Sequence, residues 1–281
     1  MKIRFWGTRG SIAAPGRETV FYGGNTSCLE ISLSTAQKII VDAGTGIRPL
    51  GNALCAQSDS LDIYLLLTHI HWDHVQGFPF FDPAFHDGTR IWVDGHPRCM
   101  KGLRAIFDHH MGDGFFPLRF DQLRARIQHA NALSHGPVRV GTVNIDTIPL
   151  HHPQGGFGFR FREGKKTLVF ITDNELTPRA PHGKRPEDYA CFARDADILI
   201  HDAQYNATEI LSRRGWGHSD FESTVNLALS ARAKKLILFH HDPSHTDREL
   251  RRQVKACQER ANKAGDGLQV LGAREGDEFI L

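Results

Sequence analysis

Three imidazoles and a carboxylate fall within six residues at His69-Ile70-His71-Trp72-Asp73-His74. Neutral imidazole and carboxylate suit zinc and its first-row neighbours. A lone histidine is most often a surface or hydrogen-bonded residue. Three beside an Asp, directly after an apolar run, would leave polar groups stranded at a cost unless something binds them. Hydrolysis by a pair of ions needs mostly nitrogen ligands plus carboxylates, with a shared bridge holding the ions about 3.5–4 Å apart. His69 and His71, two residues apart on an extended strand end, lie on one side. Asp73 and His74 follow on a turn and can face a different ion. Two half-sites result, and neither is complete. Later donors are available at Asp173 and in the pairs His151-His152 and His240-His241, where adjacent residues face opposite ways and only one of each pair can point inward.

The elements that must position these groups are legible as short apolar runs. Leu61 to Thr68 is too short for a helix and reads as a buried strand, which puts the histidine cluster at its C-terminal end, where α/β proteins open their crevice. Further strands are predicted at Lys2 to Trp6, Leu29 to Leu33, Ile39 to Val41, Ile91 to Asp94 and Val138 to Ile148, the last delivering His151-His152. Gly158 to Arg162 and Thr167 to Ile171 form a predicted hairpin that ends in Thr172-Asp173. Ala196 to Ile200 and Lys235 to Phe239 precede His201-Asp202 and His240-His241-Asp242. Helices are predicted at Phe221 to Ala231 and Thr246 to Ala264, the second from the helical spacing of Leu250, Val254 and Cys257. Leu268 to Leu271 and Glu278 to Leu281 close the chain. Strand after strand ends in Asp or His. Residues 98–135 break this rhythm and read as a capping insert, with a helical stretch at Asp121 to Ile127 and Phe115 and Phe116 as apolar walls or packing residues.

The segment His69-x-His71-x-Asp73-His74 resembles the H-x-H-x-D-H signature of the metallo-β-lactamase superfamily. The glycine-rich head resembles its PhnP and tRNase Z branch, from Phe5-Trp6-Gly7-Thr8-Arg9-Gly10-Ser11 through Gly23-Gly24-Asn25-Thr26-Ser27 to Asp42-Ala43-Gly44-Thr45-Gly46. The resemblance implies an α/β fold, a four-layer αββα sandwich carrying the insert on one domain over residues 1–281. It implies two divalent ions, zinc first, with manganese or iron also fitting. On it, His69, His71 and His152 hold one ion, Asp73, His74 and His240 hold the other, and the Asp173 carboxylate bridges them. Asp42 orients the metal-binding loop from outside. Asp73 and His218 carry catalysis, because Trp216-Gly217-His218-Ser219 is similar to the family's non-ligand His-Ser that assists phosphodiester cleavage. A histidine of ordinary pKa could give a leaving group its proton. The other reading of this segment is a helix start, with Ser219 and Glu222 as a capping box. His245 and Asp242 are the next candidates for the acid, and Arg9 and Arg160 for phosphate contacts. The loop at Gly7 to Ser11 could present amides to an anion or be an ordinary turn.

Composition narrows the partners. A net charge of +2 gives no electrostatic footprint for nucleic acid, and no apolar run approaches the ~20 residues of a membrane span. Five cysteines without C-x-x-C spacing argue against a disulfide framework and for a reducing cytoplasm. A strand-like pattern from Met1 onward leaves no room for a signal peptide. The resemblance to the PhnP branch, not the composition, implies a small or cyclic nucleotide-like phosphodiester as substrate. Nucleic acid is open but not favoured, since the basic Gly/Pro-rich arm of a tRNase Z-like endoribonuclease is not found. A homodimer is also open. A non-catalytic metal-binding or sensor protein on this fold should show eroded ligands, and here a full set is present.

Overall fold

The computed structural model describes residues 1–33, 37–110, 116–177 and 183–281. Strands β1 (Lys2–Gly7), β2 (Cys28–Ser32), β3 (Lys38–Val41), β4 (Asp62–Leu67), β5 (Arg90–Gly95) and β6 (Arg126–His129) build most of one sheet. The other holds β7 (Val138–Val140), β8 (Val143–Pro149), β9 (Phe157–Glu163), β10 (Lys166–Ile171), β11 (Ile198–Asp202), β12 (Lys235–Phe239) and β13 (Gln269–Gly272), while β14 (Glu278–Ile280) returns to the first. The strand orders are β14-β1-β2-β3-β4-β5-β6 and β13-β12-β11-β10-β9-β8-β7. In each sheet one half is parallel, β3 to β6 and β10 to β13.

Strand β4 shows how the layers arise. Tyr64 and Leu66 face the core between the sheets, with Phe159, Phe161, Phe170 and Phe239 of the opposite sheet. Ile63, Leu65 and Leu67 face outward, beneath Ile47, Leu50 and Leu54 of α1 (Ile47–Cys55). A strand covered on both faces has no room for alternation, which is why it reads as a continuous apolar run. The outer face of the second sheet is covered by Tyr189 of α4 (Pro186–Phe192), Val225 of α6 (Phe221–Ser230) and Leu250 of α7 (Asp247–Ala264). Helix, sheet, sheet and helix make the expected αββα sandwich. Shorter helices are α2 (Trp72–Val75), α3 (Cys99–Ala105) and α5 (Glu209–Ser212). Among the described residues no helix is long and apolar enough to cross a membrane, and all five cysteines are free.

Several predicted elements change. Asp121 to Ile127 is a short 3-10 turn at Phe120–Gln122 followed by β6, which pairs in parallel with β5 at the sheet edge. Val138 to Ile148 is a hairpin, not one strand, turning at Gly141, whose φ is 56°. Phe116 packs edge-on against Phe80 and Phe107; Phe115 lies outside the described residues. Helix α6 is capped by Asp220, whose carboxylate accepts from Ser223 N at 2.9 Å. The predicted cap, Ser219, instead donates its hydroxyl to the Asn174 carbonyl at 2.6 Å.

Candidate metal centre

Four strand ends and the loop after β8 meet where the two sheets' parallel halves release their C-terminal ends. β4 stops at Leu67, and His69 to His74 follow, with His71 at the N-cap of α2. β3 delivers Asp42, β10 delivers Asp173 and β12 delivers His240. These three residues share a left-handed backbone, with φ of 64°, 54° and 56°, a conformation non-glycine residues seldom adopt and which clusters at functional sites.

The seven residues that the sequence points to come together, divided by the two oxygens of one carboxylate. Asp173 Oδ2 lies 3.6 Å from His69 Nε2 and 3.9 Å from His152 Nε2. His152 Nε2 is 2.9 Å from His71 Nδ1. Asp173 Oδ1 lies 3.3 Å from His74 Nε2 and 3.2 Å from His240 Nε2. Asp73 Oδ2 completes that side, 3.1 Å from His240 Nε2 and 3.4 Å from His74 Nε2. Within each group, His69-His71-His152-Asp173 and Asp73-His74-His240, one donor atom per residue lies within 4.8 Å of the rest.

Each of the five histidines has its other ring nitrogen engaged outside the cluster. His69 Nδ1 meets Thr68 Oγ1 at 3.1 Å, and His71 Nε2 meets Gln154 Oε1 at 2.8 Å. His74 Nδ1 meets Asp42 Oδ2 at 2.8 Å and His240 Nδ1 meets Gln204 Oε1 at 3.0 Å. His152 Nδ1 donates to the Gly217 carbonyl at 3.0 Å. An acceptor behind the ring fixes the tautomer and leaves the inner nitrogen with a lone pair, the state a metal requires. Asp42 is itself held by Thr68 N and Oγ1 and by Ser27 Oγ, each at 2.9 Å. Of the ambiguous pairs, His151 turns its Nδ1 to the Glu175 carbonyl and His241 its Nε2 to the Ala273 carbonyl, both 2.9 Å away.

The cluster's electrostatics call for a cation. Burial opposes ionisation of Asp173, but His240, His74 and His69 outweigh it and hold the carboxyl well below its usual range. Burial likewise disfavours a charged His74, yet Asp73, Asp173 and Asp42 lift it well above that of a free imidazole. His69 goes the other way, pushed down by burial and by His74, and its Nε2 is buried with no hydrogen-bond partner. Two carboxylates, converging nitrogens and an orphaned inner nitrogen fit divalent metal.

His218 stands beside this centre. Its ring stacks on His240 with centroids 5.0 Å apart, and its Nδ1 lies 3.9 Å from both Asp173 Oδ2 and Asp202 Oδ2. That Nδ1 is buried without a hydrogen-bond partner and groups with Asp173 and His240 as a further donor set. Burial pushes His218 down to about 3, so the sequence reading of a histidine with ordinary pKa does not hold: the ring is neutral near pH 7. His218 and His152 line a cavity of about 720 Å³ with Glu175, Leu176, Ile210 and Arg214, a size suited to a small ligand.

Other predicted contacts are replaced. Arg9 is fully buried and binds the carbonyls of Gly23, Asp242 and His245 at 2.8–3.0 Å. Arg160 is engaged by Asp146 and the Phe192 carbonyl. Both are structural, not phosphate contacts. His245 is paired with Glu209 at 2.9 Å. The Gly7 to Ser11 loop does approach the centre, but as a support: Ser11 N donates to Asp73 Oδ2 at 2.7 Å. Gly10 abuts the His240 ring so closely that a Cβ would sit 2.3 Å from it. Sequence reasoning missed Gln154, Gln204 and Glu175. Glu175 Oε2 accepts from Gly215 N and Gly217 N at 2.8 and 3.1 Å, fixing the loop whose carbonyl orients His152. Gln154 and Glu175 stand two residues from His152 and Asp173, and that proximity was the available signal.

Comparison with known proteins agrees with this architecture. A family profile described as "Beta-lactamase superfamily domain" matches residues 37–241. Ribonuclease Z of Picrophilus torridus is 35% identical over 294 residues, spanning 89% of this chain and 88% of the relative. The metallo-beta-lactamase fold protein YhfI of Bacillus subtilis superposes with a TM-score of 0.70 at 18% identity, covering 99% of both chains. A diphosphatase of the PhnP family gives 0.69 at 17% identity, covering 100% of this chain and 97% of the other. The fold, the converging donors and the profile match agree: this chain belongs to the metallo-β-lactamase superfamily and is a metal-dependent hydrolase.

Proposed function

We propose that the protein is a binuclear phosphodiesterase acting on small or cyclic nucleotide-like phosphodiesters. The observation that carries the reading is the split of Asp173, one oxygen facing His69 and His152 and the other facing His74 and His240. On this reading His69, His71 and His152 would hold one ion and Asp73, His74 and His240 the second, with Asp173 shared between them. When bound, such ions supply hydroxide near neutral pH and clamp charge developing on an attacked phosphoryl centre. Zinc fits the nitrogen-rich set best, with manganese and iron as alternatives.

The chain's own groups do the rest. Asp42, Thr68, Gln154, Gln204 and the Gly217 carbonyl keep the five rings aimed inward. Ser11 N holds the Asp73 carboxylate, so that its oxygen stays on the His240 side. The diester occupies the cavity lined by His152, His218 and Arg214. Attack by the water-derived oxygen on phosphorus breaks the bond to the leaving oxygen. His218, neutral, donates an N–H hydrogen bond to that oxygen as its charge grows. A neutral imidazole is a competent electrophile of this kind.

A second reading is favoured by the ribonuclease Z relative at 35% identity, which would make precursor tRNA the substrate. The cavity's modest size supports the small diester. Purified protein loaded with Zn or Mn should hydrolyse bis-(p-nitrophenyl) phosphate, and His69→Ala should abolish this. Cyclic nucleotides, cyclic ribose phosphates and precursor tRNA assayed in parallel separate the two substrates. Metal-replete protein inert on every phosphodiester but active on thioesters or lactones would overturn both readings.

A further inference from the structure

A second group of donors lies apart from the centre, where the last residue of α1 meets the 3-10 turn Asp82–Phe85. Cys55 Sγ is 3.8 Å from His86 Nε2, which is 3.4 Å from Asp82 Oδ1. All three donor atoms lie within 4.8 Å of one another. We propose that Cys55, Asp82 and His86 form a separate zinc-class site, with water as the fourth ligand.

Two of the three spacings match edges of a coordination tetrahedron. Bonds of about 2.3 Å to sulfur and about 2.05 Å to nitrogen or oxygen place S and N about 3.6 Å apart, and N and O about 3.3 Å apart. The observed separations match these edges to about 0.2 Å. One ring nitrogen, His86 Nε2, faces both a sulfur and a carboxylate oxygen, brought from two different segments. The Asp82 and His86 side chains are 46% and 40% exposed, and ion pairs at such exposure contribute little. A thiol is a weak hydrogen-bonding group. Thiolate with imidazole selects zinc, cobalt or cadmium over magnesium, calcium or manganese.

The joint is closely packed. Gly51 of α1 packs so tightly that a Cβ there would sit 2.9 Å from both Phe81 and Pro83. Metal would clip the end of α1 to the following segment with little rearrangement, stabilising the outer helical layer by mass action.

Cobalt(II) distinguishes this site from the main centre, which holds no sulfur. Metal-free protein titrated with Co(II) should develop a near-ultraviolet thiolate-to-cobalt charge-transfer band. Cys55→Ser should remove it. So should His86→Ala, which keeps the thiol and alters only a half-exposed ring. Both variants should retain diester hydrolysis and the visible cobalt bands of the histidine-carboxylate centre. No charge-transfer band in the wild type would overturn the proposal. A band that survives Cys55→Ser would assign it to another thiol, and one that survives His86→Ala would mark adventitious thiolate binding; either result overturns the proposal.

Discussion

The Asp42 carboxylate lies 2.8 Å from His74 Nδ1, and both side chains are completely buried. Asp42 touches none of the inner nitrogens, yet it determines which nitrogen of His74 carries the proton. Asp42→Asn can offer an amide N–H to Nδ1 and favour the wrong tautomer. Metal affinity should fall about 10–100-fold, read by competition with a chromophoric chelator, while circular dichroism stays unchanged. Unaltered affinity would remove Asp42 from the orienting shell.

Asp173→Asn tests the bridge. An amide offers one neutral oxygen where the carboxylate served both histidine groups. The variant should fold but retain fewer ions after dialysis than the wild type, as counted by plasma mass spectrometry. Full metal content with wild-type turnover would show that the groups are not bridged by this residue.

His218→Gln should lower kcat on a diester with a poor leaving group by about 10²–10³-fold, the loss of one hydrogen-bond donor, and by less with p-nitrophenolate, which needs little help to leave. Metal content should be unchanged. Loss of an ion along with activity would instead make His218 a ligand, consistent with its grouping with Asp173 and His240.

Gly10→Ala should damage the centre without touching a donor. The new methyl would meet the His240 ring at 2.3 Å, so the ring must move from the position in which it faces Asp73 and Asp173. Weaker metal binding at one of the two positions is expected, with a modest change in thermal midpoint.

Two buried histidines that do not face the centre contribute to an acid dependence. Burial pushes His241 down to about 3 and His201 to about 4, against an unfolded value of about 6.5. The unfolded chain therefore binds more protons below that value, and stability falls as pH drops from about 6.5 toward 3–4. In chelator-treated protein, His241→Gln should flatten the decline of the urea midpoint between pH 6.5 and pH 4 (about the window set by those values). An identical decline would assign the acid sensitivity elsewhere.

The residues that converge at the candidate centre were legible for a local reason. Buried parallel strands must be apolar throughout, so a polar cluster at the end of β4 or β10 stands out against its own strand. The supports were less visible because they act across the fold: Gln204 reaches His240 from a loop after β11, and Gly217 reaches His152 through its backbone carbonyl. Helix α1 was missed because Gly44, Gly46, Pro49 and Gly51 carry the composition of a turn, although Gly51 is there for close packing. The stretch before β6 misled in the opposite sense. Its few apolar residues fit a helical period, whereas pairing with β5 made Arg126–His129 a strand, a tertiary effect that local pattern cannot register.

The left-handed turns at Asp42, Asp173 and His240 have a bearing on how the centre is filled. Each costs roughly 1–2 kcal/mol relative to a right-handed residue, a cost that the sheets ending in these turns are placed to offset. Binding energy is then not spent on bending the chain. Turns set by the sheets predict a pocket cast in advance, with quick metal uptake and backbone amide shifts that barely change on binding.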